Sequence, residues 1–568
     1  MEVKIIEEKG GLSLSVNGEI IAPVAYMTYI EDNARYDDFS KAGCKLFSAC
    51  VNMGDATINP LSGVRCFGKH VWKSKDEYDF TPVHDTIAKV VQANPNAYLL
   101  LRVNVNAPVW WQEEYKNERA VLSDGTLGFP SIFSEKWKTD VEVFLTKLCA
   151  YLSTSSLGEH VVALQIAGMH TEEWMALMTA TGAYDYSTLA QTAFEKPIPD
   201  AKDMANRTPK AIEYLRFFNH AFAETISRFC ACAKRQCNRQ WLVGAFYGYI
   251  GQLSVDRAHC AFSRLLDDDN VDFFASPFSY VDSRKKAKDW FYHGAMDSVA
   301  LRKKLWFIEA DVRTHLTKPL HETNPELMES QRTVDYFLRP VFQGVENEKI
   351  ALWTLLRSYA KTLISQDAFW WFDMWGGWYD TPSMMEFMQK SFALYTETRK
   401  ERIEKNSEIA VFLDENASYA MPNEKFVACS YKQLESLGGT GAPYDIYLLD
   451  DESKIPENKY KVKLYILPKG QQNALVYSGE TLKTDDVFSA STIADALKKA
   501  GGHVFSEGNI VYANTGFVSV TATQAGNVTL KLPKEQKLRA FTTGKEYVGK
   551  EFTFDFAENQ TELFKVIQ

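Results

Sequence analysis

The sequence lacks the long apolar runs and leader segments that would mark a membrane or secreted protein. None of its 568 residues fall in an apolar run long enough to cross a bilayer, which takes about 18 residues. The opening segment, residues 1–8, is charged and has no apolar core of the kind that signal peptides carry. We therefore expect no transmembrane helix and predict a cytoplasmic protein, with a periplasmic location as the alternative if a signal peptide has been removed.

An excess of basic residues is also missing. Lys and Arg total 63 against 73 Asp and Glu, which gives a formal net charge of −10. Nucleic acids and anionic membranes are bound through basic surface, so neither is an expected partner. Aromatic residues, by contrast, make up 13% of the chain. They can form core, but they also suit sugar binding, because flat rings stack on the apolar C–H faces of sugars.

The cysteines do not form an obvious disulfide framework. There are nine, an odd number, and they are scattered along the chain: Cys44, Cys50, Cys66, Cys149, Cys230, Cys232, Cys237, Cys260 and Cys429. Reduced, buried thiols are the simplest interpretation. The cluster near residue 230 suggests zinc ligands, but it lies in a strongly helical stretch where residues i and i+2 point to different faces. A zinc site is therefore the less favoured alternative.

Up to about residue 400, short apolar runs alternate with longer amphipathic patterns. The runs are Ala22–Tyr29, Cys44–Val51, Tyr98–Val105, Val161–Gly168, Trp241–Tyr249, Val271–Tyr280, Leu305–Val312 and Ala368–Trp375. Continuous apolar character is typical of parallel strands buried on both faces. Eight strands separated by helices predict a (β/α)₈ TIM barrel over residues 1–402. A doubly wound open sheet is the alternative.

The pattern changes beyond residue 402. Strand and helix patterns over residues 403–512 predict a small α/β domain. The glycine-rich segment at 438–441 follows a helix rather than a strand, so we interpret it as a loop and not as a nucleotide cradle. Alternating apolar and polar residues over 513–568 predict a small antiparallel, β-sandwich-like domain.

Two glutamates lie where barrel enzymes carry their chemistry, at the carboxyl ends of strands. The fourth run opens into the segment that contains Glu173, and the seventh delivers Glu309. Retaining glycosidases need two carboxyl groups about 5–5.5 Å apart, and strands four and seven face each other across a barrel mouth. Glu173 is thus predicted as general acid/base and Glu309 as nucleophile. The structural alternative is a salt bridge from Glu309 to Arg313 or Arg102.

These segments resemble clan A glycoside hydrolases, and more narrowly the family 42 β-galactosidases and a related β-mannosidase family. The resemblance rests on the ordered set Gly168 to Trp174, Ser276 to Tyr280, the Glu309 segment, Trp370 to Asp380, and Pro130 with Ser131, Ser134 and Trp137. It implies a barrel, then a Rossmann-like trimerisation domain, then a β domain. It also implies a homotrimer that acts on a small oligosaccharide or glycoside without a cofactor.

One residue departs from the clan pattern. The clan usually has Asn directly before the acid/base, bonded to the sugar 2-hydroxyl, whereas this chain has Glu172. His170 or Arg102 could supply that contact instead, and Glu172 is itself a rival acid/base. If Glu172 points inward, it can accept the 2-hydroxyl bond and raise the pKa of Glu173 by like-charge repulsion. If it points outward, an axial 2-hydroxyl can be accommodated.

Other residues near the strand ends are candidates for sugar binding. The resemblance assigns Tyr280 a hydrogen bond to the nucleophile. Trp375 and Trp378 could form a sugar platform or pack the barrel mouth, and Tyr247, Tyr249 and Asp373 could line the pocket. No HxH or HExxH motif occurs near the strand ends, so no metal is expected in catalysis.

The sequence therefore predicts an exo-acting retaining β-glycosidase for terminal β-linked sugars, with β-galactosides first and β-mannosides as the alternative. A non-catalytic carbohydrate-binding barrel and a metal-dependent barrel hydrolase are the competing hypotheses, since fold alone does not choose among them.

Overall fold

Eight parallel strands close into a barrel, which confirms the predicted fold. The computed structural model describes residues 2–280, 284 and 288–567, apart from the side chain of Arg332. Each barrel strand pairs with the next one in the chain, and the eighth pairs with the first. The strands are β1 (Val24–Met27), β2 (Leu46–Asn52), β3 (Tyr98–Asn104), β4 (Val161–Ala167), β5 (Leu242–Phe246), β6 (Phe273–Pro277), β7 (Leu305–Ala310) and β8 (Ala368–Phe372).

The continuous apolar character of these strands reflects burial on both faces. All seven residues of β4 and all six of β7 are buried. One face fills the barrel interior and the other packs under the helices. The helices of this region are Tyr36–Lys41, Thr81–Ala93, Val109–Glu114, Glu135–Thr154, Thr188–Phe194, Ala201–Ala205, Pro209–Gln236, Ser263–Leu266, Met296–Ala300, Leu320–Thr323, Gln331–Phe337, Glu348–Ser365 and Pro382–Thr398. No helix in the described ranges is long and apolar enough to span a membrane.

A three-stranded antiparallel sheet that the sequence analysis did not foresee precedes the barrel. Its strands are Val3–Glu8, Gly11–Val16 and Glu19–Ile21. The Val3 amide donates to the Gln240 carbonyl at 3.1 Å, just before β5. The sheet thus lies at the amino-terminal end of the barrel and leaves the carboxyl-terminal end open.

Two further sheets follow the barrel. The first has five strands in the order Tyr444–Leu448, Ile409–Leu413, Val462–Ile466, Asn473–Tyr477 and Glu480–Thr484, with helices Asn423–Leu437 and Ala490–Lys499. Its first three strands are parallel and its last two join antiparallel. This mixed α/β unit lies in the region of the predicted second domain.

The second sheet is antiparallel, in the order Ile510–Ala513, Phe517–Thr521, Thr561–Ile567, Gly526–Ala540 and Glu546–Phe556. It is a single five-stranded sheet rather than two stacked sheets. Its edge strand, Ile510–Ala513, begins before the predicted boundary at residue 512 and crosses it, because backbone hydrogen bonds to Phe517–Thr521 hold the strand in this sheet.

A buried carboxylate joins all three parts of the chain. Asp289 accepts from Lys361 Nζ at 2.7 Å within the barrel region, from Tyr444 at 2.6 Å in the α/β unit, and from Tyr512 at 2.6 Å in the C-terminal sheet. Burial alone would raise the pKa of Asp289, but Lys361 and the two phenols hold it below its ordinary value. The charge on Asp289 therefore stabilises the packing of the three parts.

We predict that Asp289→Asn destabilises the protein by about 3–5 kcal/mol, because it leaves the Lys361 ammonium buried without its partner. Since the folded pKa of Asp289 is lowered, this contribution is present above its unfolded pKa of about 3.9 and is lost as the pH falls further. Denaturation by urea at neutral and acid pH would measure both effects.

The matched control is Glu7→Gln, which removes an exposed pair to Lys303 at 2.7 Å. Exposed pairs contribute about 0–1 kcal/mol. Equal losses in the two variants would contradict the role given to Asp289.

Candidate active site

A cavity of about 310 Å³ opens at the carboxyl ends of the barrel strands and contains both predicted catalytic glutamates. Of the predicted residues, it is lined by Arg102, His170, Glu173, Tyr249, Tyr280, Glu309 and Trp375. A neighbouring cavity of about 580 Å³ shares Tyr29 and Phe67 with it but contains neither glutamate. The smaller cavity is therefore the candidate active site.

Arg102 on β3 organises the floor of this cavity. Its side chain is 1% exposed, and its Nη1 reaches Glu309 Oε2 on β7 at 3.1 Å while its Nε reaches Glu172 Oε2 at 3.0 Å. The guanidinium carbon lies 4.4 Å from the ring centroid of Phe246 and 5.1 Å from that of Tyr29. The aromatic faces and two carboxylates together offset the desolvation of the buried cation.

Glu309 and Glu173 have different partners. Burial, together with the charge of Glu173, raises the pKa of Glu309 to about 8, and Arg102 opposes that rise. Burial also raises the pKa of Glu173, whose carboxylate accepts from Tyr249 at 2.9 Å and from Thr171 at 2.7 Å. Two buried carboxyl groups in one cavity favour a single shared proton. Arg102 contacts Glu309, so its charge opposes the effect of burial and favours the ionised form of that carboxyl group.

The loop after β4 carries Glu173 in a strained backbone. Met169, Thr171, Glu172 and Trp174 all have positive φ, between 56° and 64°. Such residues cost about 1–3 kcal/mol each when they are not glycine. Asn106 offsets part of this cost, since its side chain accepts from the Met169 amide at 2.7 Å and donates to the Met169 carbonyl at 3.2 Å.

This backbone turns the two neighbouring glutamates in different directions. Glu172 is 1% exposed and does not line the cavity. It forms an ion pair with Arg102 and accepts a hydrogen bond from the Asn104 side-chain amide at 2.9 Å. Glu173 faces the cavity. The structure thus places Glu172, a predicted substrate-binding residue, beside Arg102 and outside the lining of the cavity.

Tyr280 lines the cavity but does not bond Glu309. Its hydroxyl donates to Asp311, which also accepts from Arg284 at 2.6 Å and from Arg313 at 2.9 Å. The expected hydrogen bond from Tyr280 to the nucleophile is thus absent. Arg102 holds Glu309 toward β3, and Asp311 is the carboxylate that the Tyr280 hydroxyl meets.

Three other predicted site residues are buried away from the cavity. Tyr247 donates to the Ala258 carbonyl at 2.8 Å. Asp373 accepts from Tyr26 at 3.0 Å and from the Trp378 amide at 2.8 Å, which fixes the turn after β8. Trp378 is 1% exposed and packs against Arg313, 5.2 Å from its ring centroid. These three are parts of the supporting structure.

His170 and Trp375 do reach the cavity, as predicted. The His170 Nδ1 has no hydrogen-bond partner among the described residues, and burial lowers the pKa of His170 to about 3, so the ring is neutral. Trp375 stands beside Phe67 and Tyr29, with ring centroids 5.7 and 6.4 Å away. These rings form an apolar wall that could stack on a sugar.

Sequence reasoning missed several residues of the site. Asn104 and Asn106 follow the apolar core of β3. Their place at the end of that strand was the only sign in the sequence that they belong to the site. His293 lines the cavity next to Tyr249, 4.9 Å between ring centroids, but it lies well beyond β6 in sequence. Arg257 and Arg339 also line the cavity from segments outside the strands. No local pattern distinguishes such loop residues.

The cysteines make no disulfide and form no metal site in the described part of the chain. All nine are free. No group of three or more His, Cys, Asp or Glu residues is placed to hold a metal ion among residues 2–280, 284 and 288–567. Cys230 and Cys232 are buried in the helix Pro209–Gln236.

Comparison with known proteins finds similarity in structure alone. No family model and no curated protein matches the sequence. A β-galactosidase from Bacillus circulans sp. alkalophilus superposes with a TM-score of 0.60 at 11% identity, over 96% of this chain and 98% of that one. A family 42 β-galactosidase from G. stearothermophilus gives 0.59 at 9% identity, over 96% and 98%.

The fold is not restricted to β-galactosidases. An apo exo-carrageenase of family 42 from Bacteroides ovatus superposes with a TM-score of 0.58 at 11% identity, over 100% of this chain and 84% of that one. At these identities the likeness establishes the architecture, from the barrel through both C-terminal sheets. The chain thus has the fold of the family 42 glycoside hydrolases.

Proposed function

We propose that the protein is an exo-acting retaining β-glycosidase. The observation that carries the proposal is that Glu173 and Glu309 line one cavity with opposite surroundings. Glu309 contacts the cation of Arg102, whereas the carboxylate of Glu173 contacts two hydroxyl groups. Double displacement requires an ionised nucleophile and a protonated acid, and the contact with Arg102 favours Glu309 for the first role.

In the proposed first step, ionised Glu309 attacks the anomeric carbon while Glu173 protonates the departing glycosidic oxygen. Arg102 stabilises the carboxylate before attack. In the second step Glu173 removes a proton from water, and that water releases the sugar from Glu309. Tyr249 supports this stage, because its hydroxyl bond to Glu173 favours the ionised form.

β-Galactosides are the first substrate candidates. Two of the structures with this fold are β-galactosidases by name. β-Mannosides are the second candidate, and one observation favours them: Glu172, which replaces the usual Asn, is turned away from the cavity toward Arg102 and Asn104. Without a partner at that position, an axial 2-hydroxyl meets no specific rejection.

Specificity constants for nitrophenyl β-galactoside and β-mannoside would decide between the two sugars. We expect the galactoside to be preferred, and a mannoside preference above about tenfold would reverse the order. One or two hydrogen bonds to a sugar hydroxyl change the specificity constant enough for this comparison to resolve the two sugars. Binding of both sugars without turnover of either would instead favour a non-catalytic carbohydrate-binding barrel.

We predict that Glu309→Gln loses turnover by about 10⁴-fold or more, the loss expected when a nucleophile is removed. The amide keeps the shape of the side chain but cannot attack the anomeric carbon. Turnover would be measured on the preferred aryl glycoside, with circular dichroism to check the fold. Activity within about tenfold of wild type would remove Glu309 from the mechanism.

We predict that Glu173→Ala loses activity mainly on substrates with poor leaving groups, and that azide restores part of the turnover of activated aryl glycosides. An activated leaving group departs without a proton, and azide can occupy the space of the missing base. The measurement compares two aryl glycosides of different leaving-group pKa, with and without azide.

Glu172→Ala is the matched comparison for that experiment. It should also reduce activity, because Arg102 loses a counter-charge, but azide should not rescue it. Azide rescue of the Glu172 variant in place of the Glu173 variant would exchange the two roles.

We also propose that the protein is a homotrimer, assembled partly through residues 403–512. The proposal rests on the resemblance to the family 42 enzymes and on an α/β unit that carries no catalytic residue. Multi-angle light scattering at micromolar concentration is expected to give three times the monomer mass of 64.5 kDa. A monomer under those conditions would rule the assembly out.

A further inference from the structure

Two arginines face the candidate active site without a carboxylate partner. Arg257 and Arg339 both line the cavity, and neither forms an ion pair within the described residues. Among the residues that the structure describes, the only carboxylates that line the cavity are Glu173 and Glu309. Arg102, the third cation there, is already matched by Glu172 and Glu309. The cavity therefore has positive charge that its own residues do not balance.

Arg257 is held in place but not neutralised. Its Nη1 donates to the Ala176 carbonyl at 3.1 Å, and the side chain is partly buried. The adjacent Asp256 is engaged by Arg207, at 2.7 and 3.0 Å. Burial lowers the pKa of Arg257. A guanidinium that is partly removed from water costs free energy unless an anion compensates for it.

Arg339 lies over two other aromatic rings of the same cavity. Its guanidinium carbon is 5.4 Å from the ring centroid of Tyr336 and 5.8 Å from that of Phe342. Both rings line the cavity. The Arg339 side chain is otherwise exposed, so the two rings orient its guanidinium group without burying it. Arg339 is thus available to a ligand that enters the cavity.

Both arginines are on the side of the acid/base. Arg257 donates to the carbonyl of Ala176, three residues beyond Glu173. Burial, together with the charge of Arg257, lowers the pKa of His170 and of His259 to about 3. His259 in turn bonds the backbone carbonyl of Glu173 at 2.9 Å. Tyr336, whose ring lies under Arg339, lines the cavity together with Glu173. The arginines therefore border the region where the departing group of a glycoside would lie.

We propose that Arg257 and Arg339 recognise an oxyanion on the leaving-group sugar, so that the natural substrate is an acidic β-glycoside. The inference rests on the proposed function and names its substrate class. A sulfate ester, a phosphate ester or a uronic carboxylate offers the same chemistry, two or more oxygens for the fork of an Arg side chain. The nearby histidines are neutral and do not compete for it.

The test compares two β-linked disaccharides that differ only by a sulfate ester on the reducing-end sugar. The wild-type enzyme is expected to have a kcat/KM at least about tenfold higher for the sulfated compound, mainly through a lower KM. The sulfate is bound equally in the ground state and the transition state, so it acts on KM rather than on kcat. A third disaccharide with a reducing-end uronic acid separates a sulfate preference from a general preference for anions.

Arg257→Gln and Arg339→Gln are each expected to lower the ratio of the two kcat/KM values by about tenfold, as loss of a charge-assisted hydrogen bond should. Arg257→Lys should retain part of the ratio. Arg264→Gln, which removes an exposed pair to Glu224, is the control and should leave it unchanged. A ratio near one in wild type, or one that neither Gln variant changes, would overturn the proposal.

Calorimetry on Glu309→Gln separates this inference from the proposed function. Tighter binding of the sulfated disaccharide than of the neutral one, lost in a double variant with Arg257→Gln, supports the oxyanion site even if wild type hydrolyses no glycoside. Equal binding of both disaccharides in an enzyme that does hydrolyse neutral aryl glycosides would refute the oxyanion site and leave the glycosidase intact.

Discussion

The arrangement of the active site depends on the burial of one cation. Arg102 projects from β3 into the barrel with 1% of its surface exposed. A guanidinium in that position must be surrounded by carboxylates and aromatic faces. Glu309 and Glu172 satisfy it from opposite sides, at 3.1 and 3.0 Å. The ion pair that offsets the burial of Arg102 also favours the ionised form of Glu309, so stability and the proposed chemistry are coupled.

The loop after β4 places the adjacent side chains of Glu172 and Glu173 in different surroundings. Consecutive carboxylates facing one cavity would repel each other. The positive φ angles at Thr171 and Glu172 turn the chain so that Glu172 packs against Arg102 while Glu173 faces the cavity. Asn106 and the Trp174 indole, which donates to the Ile166 carbonyl at 2.9 Å, hold this strained segment. The strained backbone of this loop therefore keeps the side chains of Glu172 and Glu173 apart.

The fold and the substrate are decided by different parts of the molecule. The same architecture occurs in proteins named as β-galactosidases and as an exo-carrageenase. The strands fix where a sugar would bind, but loop residues such as Arg257 and Arg339 determine which charges surround it. Substrate preference therefore has to be argued from those side chains rather than from the barrel.

The sequence by itself determined the barrel and the positions of its two central glutamates. Eight apolar runs are a local pattern that burial of a strand on both faces produces, and their number favoured a closed barrel over an open sheet. The place of Glu309 at the end of its run, and of Glu173 just after β4, follows from the same count. The fold could be predicted because the burial of each strand is visible in the apolar character of its own sequence.

Only the tertiary structure decided which side chains meet. Arg102 and Glu309 are 207 residues apart, and Asp289 and Tyr512 are 223 apart. The sequence could not show that Tyr280 turns to Asp311, or that Tyr247, Asp373 and Trp378 serve as support. It also did not indicate that Arg257 and Arg339 reach the cavity. Side-chain partners depend on competition among all nearby charges and hydrogen bonds, and that competition exists only once the chain is folded.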